Sequence, residues 1–499
     1  MKLSLKIHKF LILTASLLLA FDAFAEINLG GIGRVNDKRL IIEIDNPNFR
    51  KLTIAIPKFL IKPGVKSKEA EKLATEGPEE LGRLLIFSGM FNIMSESGYK
   101  EAYGSLASGY SKSSGTLAVN GTADVGSINM QQWKGFGVEA LVIGEIFQEG
   151  DSIGLNIRTY DINMGKELKG VQFSIMGTNF QPVLRRAGDI ILDLYTGKGG
   201  IFNSKIVFIG RRSKGSPKQL FVCDFDGSNL VQISNTKSIH LSPHFSPDGK
   251  YVTVTSFESG NPDLYMYELV KSKSGTVRPG MKRRLSGYKG LNSGGQWSPN
   301  GKLVAYTGSA GEGDADIFTI MPDSKDRVKL MAGAGLDVDP SFSPDGKYLA
   351  FVSGRFGNPH IFTANLKWVG DTKVVVEGDK RLTYAGWYNA TPAWSPDSQK
   401  IAFGGYDKDI DRWDLFVMNY DGTNMERLTL KIGDNEAPSW SPNGQMLVFH
   451  SNRIGSSNGK DRPALYIMNR DGSAQRKLPI DLYELQTPSW SANVFGESN

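Results

Sequence analysis

Two serines stand in the pattern G-x-S-x-G: Ser152 in GDSIG and Ser457 in GSSNG. A nucleophilic serine in that pattern needs a sharp strand-to-helix bend, with a histidine and a carboxylate brought beside it. Both stretches instead fall between alternating segments that read as strands joined by turns, where glycine and serine serve the turn. His240 and His244 are four residues apart, a spacing that offers two zinc ligands on one face of a helix, but they lie in extended sequence. The GGIG of Gly30–Gly33 lacks the third glycine of a dinucleotide loop, and there is no Walker sequence. Cys223 is the only cysteine, so neither an internal disulfide nor a two-thiolate metal site can form, and LFVCDF places it in a strand. The sequence therefore predicts no catalytic residue, no cofactor and no metal.

What the chain repeats is scaffold. FSPDGK occurs at Phe245–Lys250 and again at Phe342–Lys347, with WSPNGK, WSPDSQK and WSPNGQ between and beyond, and a worn copy, WSANVFG, at Trp490–Gly496. The serines Ser246, Ser298, Ser343, Ser395, Ser441 and Ser491 are spaced by 52, 45, 52, 46 and 50 residues, a period that marks blades, solenoids or arrays. Alternating runs such as YVTVTSF, DLYMYEL and ERLTL, divided by Asp-Gly turns, fill each period and favour strands. Proline presets the first turn position, Asp/Asn-Gly tolerates left-handed backbone, and the aromatic packs sheet on sheet. Four strands per period, repeated about an axis, make a β-propeller. Three strands (KIVFIG, QLFVCDFDG and LVQIS) precede the first hexapeptide, and one lone inner strand, TPSWSA, follows the last blade. Pairing the two ends completes a sixth sheet and removes the exposed edges.

Before each inner strand the chain must cross to the channel mouth, always at the same end. The crossings SIHLSP, GLNSGG, LDVDP, WYNATP, GDNEAP and YELQTP gather Asp337, Asp339, Asp434, Glu436 and Glu484 around one opening. A solvated polar rim is one reading. The other is a docking ring for a partner carrying Lys or Arg, with a bound cation as a further alternative.

The first 25 residues, with Lys2, Lys6 and Lys9, the apolar Phe10–Ala20 and the small-x-small Ala23–Ala25, read as a secretory signal cut between Ala25 and Glu26. No later apolar run is long enough to span a bilayer, so a soluble, exported protein is expected. Removing the signal lowers the formal charge from +6, and no basic cluster with interleaved aromatics points to nucleic acid. Residues 26–200 read as a mixed α/β domain, with strands at Leu52–Phe59, Ala140–Phe147, Gly154–Ile162 and Val171–Met176 and helices at Pro78–Ser88 and Pro182–Tyr195. Tyr99–Gly126, rich in Gly, Ser and Ala, reads as a long mobile loop. Gly197–Asn203 reads as a hinge into a propeller occupying 201–499.

SGMFNIM (Ser88–Met94), WKGFGVEALVIGEI (Trp133–Ile146), RRAGDIILDLYTGKGGIFNSKIVFI (Arg185–Ile209) and TSFESGNPDLYMYEL (Thr255–Leu269) resemble segments of the TolB family of the Tol-Pal system. The resemblance implies a non-enzymatic, monomeric periplasmic protein that helps keep the outer membrane intact and constrict it during cell division. It implies that the propeller face with the rim loops binds the lipoprotein Pal. Candidate contacts there are His240, Leu291, Asn292, Gly294, Asp337, Val338, Asp339, Asn389, Thr391, Asn435 and Glu436. It also implies that an N-terminal strand binds TolA, here Leu40, Ile41, Ile42, Glu43, Ile44 and Asp45 within RLIIEIDN. Other outer-membrane or peptidoglycan-associated proteins are further candidate partners. The competing readings are a secreted hydrolase gated by its propeller and a sugar-binding or lyase propeller. The first needs a large α/β-hydrolase domain, and the second needs an aromatic-lined channel with acid/base residues.

Overall fold

The computed structural model describes residues 34–36, 39–41, 50–112, 117–119, 126–175, 177–272, 276–309, 315–324, 326–331, 333–430, 432–453 and 462–494. The signal segment with Ala25 and Glu26, residues 42–45 of the TolA-like segment, and Ser457 lie outside them. Arg39–Ile41 pairs antiparallel with Arg34–Asn36.

The N-terminal unit is one six-stranded sheet between two pairs of helices. Strands run in the order Lys166–Ile175, Ser152–Asp161, Ala140–Glu149, Leu52–Ala55, Phe91–Ile93, with Leu60–Ile61 also paired to Ala140–Glu149. Alternation along Ala140–Glu149 sorts the two faces. Val142 and Ile146 meet helices α1 (Lys68–Phe87) and α4 (Gln181–Thr196), while Leu141 and Ile143 meet α2 (Lys100–Lys112) and α3 (Met130–Gly135). Helix α2 occupies much of the expected loop. Ala102, Leu106 and Tyr110 recur at helical spacing and bury against Trp133, so packing overrides the high glycine and serine content. Helix α1 starts ten residues earlier than the leucine spacing suggests and carries Pro78 inside it, capped by Ser67 Oγ at Ala70 N.

Six four-stranded antiparallel sheets follow. Blade 1 joins Lys205–Arg211, Gln219–Asp224 and Val231–Gln232 to Glu484–Trp490 from the other end of the chain. Blades 2 to 6 are continuous, with inner strands His240–Phe245, Asn292–Trp297, Asp337–Phe342, Tyr388–Trp394 and Asn435–Trp440. Cys223 is buried in the second strand of blade 1, where desolvation drives its thiol pKa upward.

The hexapeptide is a hydrogen-bonded knot. Ser246 Oγ accepts from Tyr251 N at 2.9 Å and donates to Asp248 Oδ1 at 2.6 Å, and that oxygen accepts from Lys250 N at 3.1 Å. Ser298, Ser343, Ser395 and Ser441 make the same 2.9 Å bond to Leu303, Tyr348, Lys400 and Met446. In the closing blade Lys205 replaces the local partner. Its N–H donates to Ser491 Oγ at 2.9 Å, and Ser491 N donates to Lys205 O at 2.8 Å. The worn last copy thus keeps the two letters that closure needs, Trp490 and Ser491. The aromatics staple strands together: Trp394 Nε1 donates to Ser341 O and Trp440 Nε1 to Ala393 O across blades, while Trp490 Nε1 donates to Ser204 Oγ at the start of blade 1.

The segment read as a hinge is fastened rather than free. Asp189 on α4 accepts from Ile201 N at 2.7 Å, Phe202 N at 2.8 Å, Asn203 Nδ2 at 2.8 Å and, from the last turn of the chain, Asn493 Nδ2 at 2.9 Å. Gly200 passes so close that a Cβ there would sit 2.1 Å from the Asp189 carboxylate. Phe202 is fully buried against Phe225, and Phe87 of α1 meets Phe225 edge-on at 4.9 Å, so both units share one core.

Ser491→Ala leaves the buried Lys205 N–H without an acceptor. It is expected to lower stability by about 1–3 kcal/mol in urea titrations. Asp189→Ala strands four donors at once and is expected to cost more. Deleting residues 484–499 is expected to abolish the single cooperative transition, because blade 1 then lacks its inner strand.

Candidate partner-docking face

All six inner strands break register at the same point, so that one residue in left-handed backbone turns toward the channel. These residues are Ser242 (φ 49°), Gly294 (66°), Asp339 (52°), Thr391 (50°), Ala437 (52°) and Thr487 (46°). Proline follows five of the six, and Gly295 follows the other. Each bulge is a local strain that the ladder on either side holds in place. The ring lines a channel of about 390 Å³. His244 Nδ1 in this channel accepts across blades from Gln296 Nε2 at 2.9 Å, while His240 faces Tyr267 OH at 3.2 Å. The two histidines therefore point to different neighbourhoods.

A residue at or next to the start of five inner strands lies beneath the rim. His240, Asn292, Asp337, Asn389 and Asn435 are all buried. Asn292 Nδ2 donates to Tyr288 O at 2.7 Å and its Oδ1 accepts from Ser286 Oγ at 2.7 Å. Asn389 Nδ2 donates to Ala385 O at 3.0 Å, and Asn435 Nδ2 donates to Gly433 O at 3.0 Å. These side chains shape the crossing loops from below. Val338 packs against the core between blades 4 and 5, Leu291 is half-buried, and Gly294 and Thr391 face the channel.

The five carboxylates expected at the mouth do not form a free acidic ring. Asp337 is buried and bonded through both oxygens to Arg355 Nη2 at 3.1 Å. Glu484 pairs with Arg211 and Lys218, both at 2.9 Å. Asp434 accepts from Trp413 N at 3.0 Å and Asn452 Nδ2 at 2.8 Å. Asp434, Asp339 and Glu436 have no Lys or Arg partner among the described residues, and the last two lack strong donors as well. Burial raises the Asp339 carboxyl pKa, with only a long bond from Thr391 N, at 3.4 Å, opposing it. Burial, and then the neighbouring Asp434 charge, push Glu436 up to about 7, with His450 Nε2 3.7 Å away. His450 itself is held neutral by burial.

What the face exposes is apolar. Ile239, Phe257, Tyr288, Tyr384, Trp387 and Ile432 all stand at the crossing-loop end, with Phe356 70% and Tyr384 73% exposed. Lys408 lies over the Trp387 ring at 4.1 Å. An aromatic and aliphatic rim of this kind has the composition that suits docking another protein, and it faces away from the N-terminal unit. The sequence signal was present, since an apolar residue sits within four positions of several inner strands, but exposure could be assigned only once the strands were placed.

A family model described as the TolB beta propeller domain matches residues 192–494. A TolB homolog from Chlorobium luteolum is 32% identical over 354 residues, covering 71% of this chain and 73% of the relative. A Tol-Pal system protein TolB from Desulfosudis oleivorans is 32% identical over 279 residues, covering 56% and 57%. The crystal structure of TolB from Acinetobacter baumannii superposes with a TM-score of 0.69 at 24% identity, covering 89% of this chain and 97% of that one.

Glu436 titrates higher in the folded protein than in an open chain, so the native state binds more protons between the ordinary carboxylate range and pH 7. Its contribution to stability is therefore present at low pH and lost as pH rises through about 7. Glu436→Gln is expected to raise Tm at pH 8 relative to wild type, with the difference shrinking as pH falls through about 7 and gone below the ordinary carboxylate range, as read by calorimetry.

Proposed function

The chain belongs to the TolB family, and from that premise we propose that it is a periplasmic adaptor that docks Pal on the apolar propeller rim. As a Tol-Pal component it is not an enzyme. The observation that carries the reading is the row of exposed aromatics at the end of the channel away from the N-terminal unit. An aromatic anchor set on rigid strands suits a partner that must be held and released whole. Of the candidate contacts, Leu291, Gly294, Val338, Asp339, Thr391 and Glu436 belong to this surface or the channel below it. His240, Asn292, Asp337, Asn389 and Asn435 act by shaping the loops.

In the same reading residues 1–25 are an export signal, 26–200 the N-terminal domain and 201–499 the propeller. Leu40–Asp45 supplies the strand that TolA takes. Its first residues form a short strand beside α4, the helix that Asp189 ties to the end of the chain. Linking Pal at one end and TolA at the other would couple the outer membrane to the inner during division.

Purified chain is expected to capture Pal, and Phe356→Asp or Tyr384→Asp to weaken capture by about tenfold or more, as truncation of a central aromatic anchor does. Asp339→Lys and Glu436→Lys are expected to weaken it as well. Deleting 39–45 should remove TolA capture and spare Pal. Unchanged Pal capture by both aromatic variants would remove the rim from the account.

A further inference from the structure

The mild net charge of the chain hides a strongly one-sided stretch. Between Glu268 and Glu312 there is no acidic residue, while eight are Lys or Arg. Most of this stretch builds the outer half of blade 2 and the first half of blade 3. Blade 2 ends in long outer strands, Asp263–Lys271 and Val277–Ser286, and blade 4 in His360–Val369 and Lys373–Arg381. Blade 3 between them has only Ala315–Ile320 and Arg327–Met331. The short blade sits between two long ones as the floor of a trough. Asn300 Nδ2 in its hexapeptide turn donates to Asp371 O on the blade 4 hairpin at 2.9 Å, which fixes one wall.

A groove of about 820 Å³ opens between blades 2 and 3 at the hexapeptide end, opposite the apolar rim. Tyr251, Met266, Met281, Met321, Arg283 and Lys302 line it. Met281 is 55% and Met321 41% exposed, although both are large apolar side chains. Methionine is unbranched and polarizable, and it adapts to apolar guests of irregular shape. Arg283 contacts only the highly exposed Asp323, at 3.0 Å, and its Nε is buried with no acceptor among the described residues. Lys302 and Arg278 have no ion-pair partner among them either. The two carboxylates at the groove are already engaged: Asp248 by Ser246 and Lys250, and Asp323 by Arg283.

We propose that this groove binds a segment of a partner protein that combines acidic side chains with a large apolar anchor. The anchor fills the space between Met281 and Met321, and a carboxylate reaches Arg283 and Lys302. Charge complementarity selects the acidic segment, and the outward Nη groups of Arg283, held only by the highly exposed Asp323, are the donors a competing carboxylate can take. Because groove and rim lie at opposite ends of the blades, both can be filled at once. The protein could then hold a second partner while the first is docked. This proposal does not rest on the rim reading.

The test uses the full mature chain as bait for a phage-displayed library of random dodecapeptides. The Met281→Lys/Arg283→Glu double variant serves as counter-target, after calorimetry has shown that it keeps the wild-type unfolding temperature. The proposal expects enriched peptides rich in Asp and Glu beside Leu, Met or Phe. Their binding should fall by about tenfold on the double variant, weaken further as salt rises from about 50 to about 300 mM, and persist on Tyr384→Asp. It is overturned if no such sequences are enriched, if they bind the double variant equally, or if Tyr384→Asp abolishes their binding. Arg283-dependent sedimentation of the chain with phosphatidylcholine vesicles holding about one third phosphatidylglycerol, without peptide enrichment, would overturn it in favour of a membrane surface.

Discussion

Everything in the propeller depends on one substitution of partners, Lys205 for a local residue at Ser491. Five blades close their inner turn with bonds spanning five residues, and the sixth closes the same bonds across 286. A local turn forms at small entropic cost, whereas joining the two ends of a chain this long must overcome a larger loop-closure term. The ladder of Glu484–Trp490 on Lys205–Arg211, the indole of Trp490 on Ser204 and the Arg211–Glu484 pair all add to the same closure. Without them each blade would still be a four-stranded sheet, but the ring would have two raw edges.

The parts of this fold that were legible in the sequence are those whose hydrogen bonds begin and end within a few letters. Ser246, Asp248 and Tyr251 lie in one short stretch, so repetition of the stretch announces repetition of the structure. The count of six sheets follows from three unpartnered strands at one end and one at the other. Helix α2 was not legible, because Ala102, Leu106 and Tyr110 are separated by glycine and serine and gain their meaning only from Trp133. The fastening of 197–203 was hidden too, since one of the bonds to Asp189 comes from Asn493, at the opposite end of the chain.

The mouth of the channel shows why charge read from sequence is a poor guide to charge on a surface. Arg355 lies 18 residues beyond Asp337, and Lys218 is 266 positions from Glu484 in the chain, so neither pair could be read off as a pair. Burial then acts on Asp339 and Glu436, neither of them paired with a cation, and favours their neutral forms. The rim offers shape and apolar area, with few free carboxylates among them. Five polar residues at the starts of the inner strands serve the loops that carry those apolar groups, which makes the face rigid before any partner arrives.

The tie between Asp189 and Asn493 also orders assembly in time. A polypeptide is made from its first residue onward, so the sheet and helices before residue 200 can pack long before the ring is finished. Helix α4 then carries a carboxylate only partly satisfied, by the three donors of 201–203, until the final turn emerges 304 residues later. Arrival of Asn493 is thereby registered in a part made long before it, and a product truncated ahead of that residue leaves a lasting mark on both halves of the molecule.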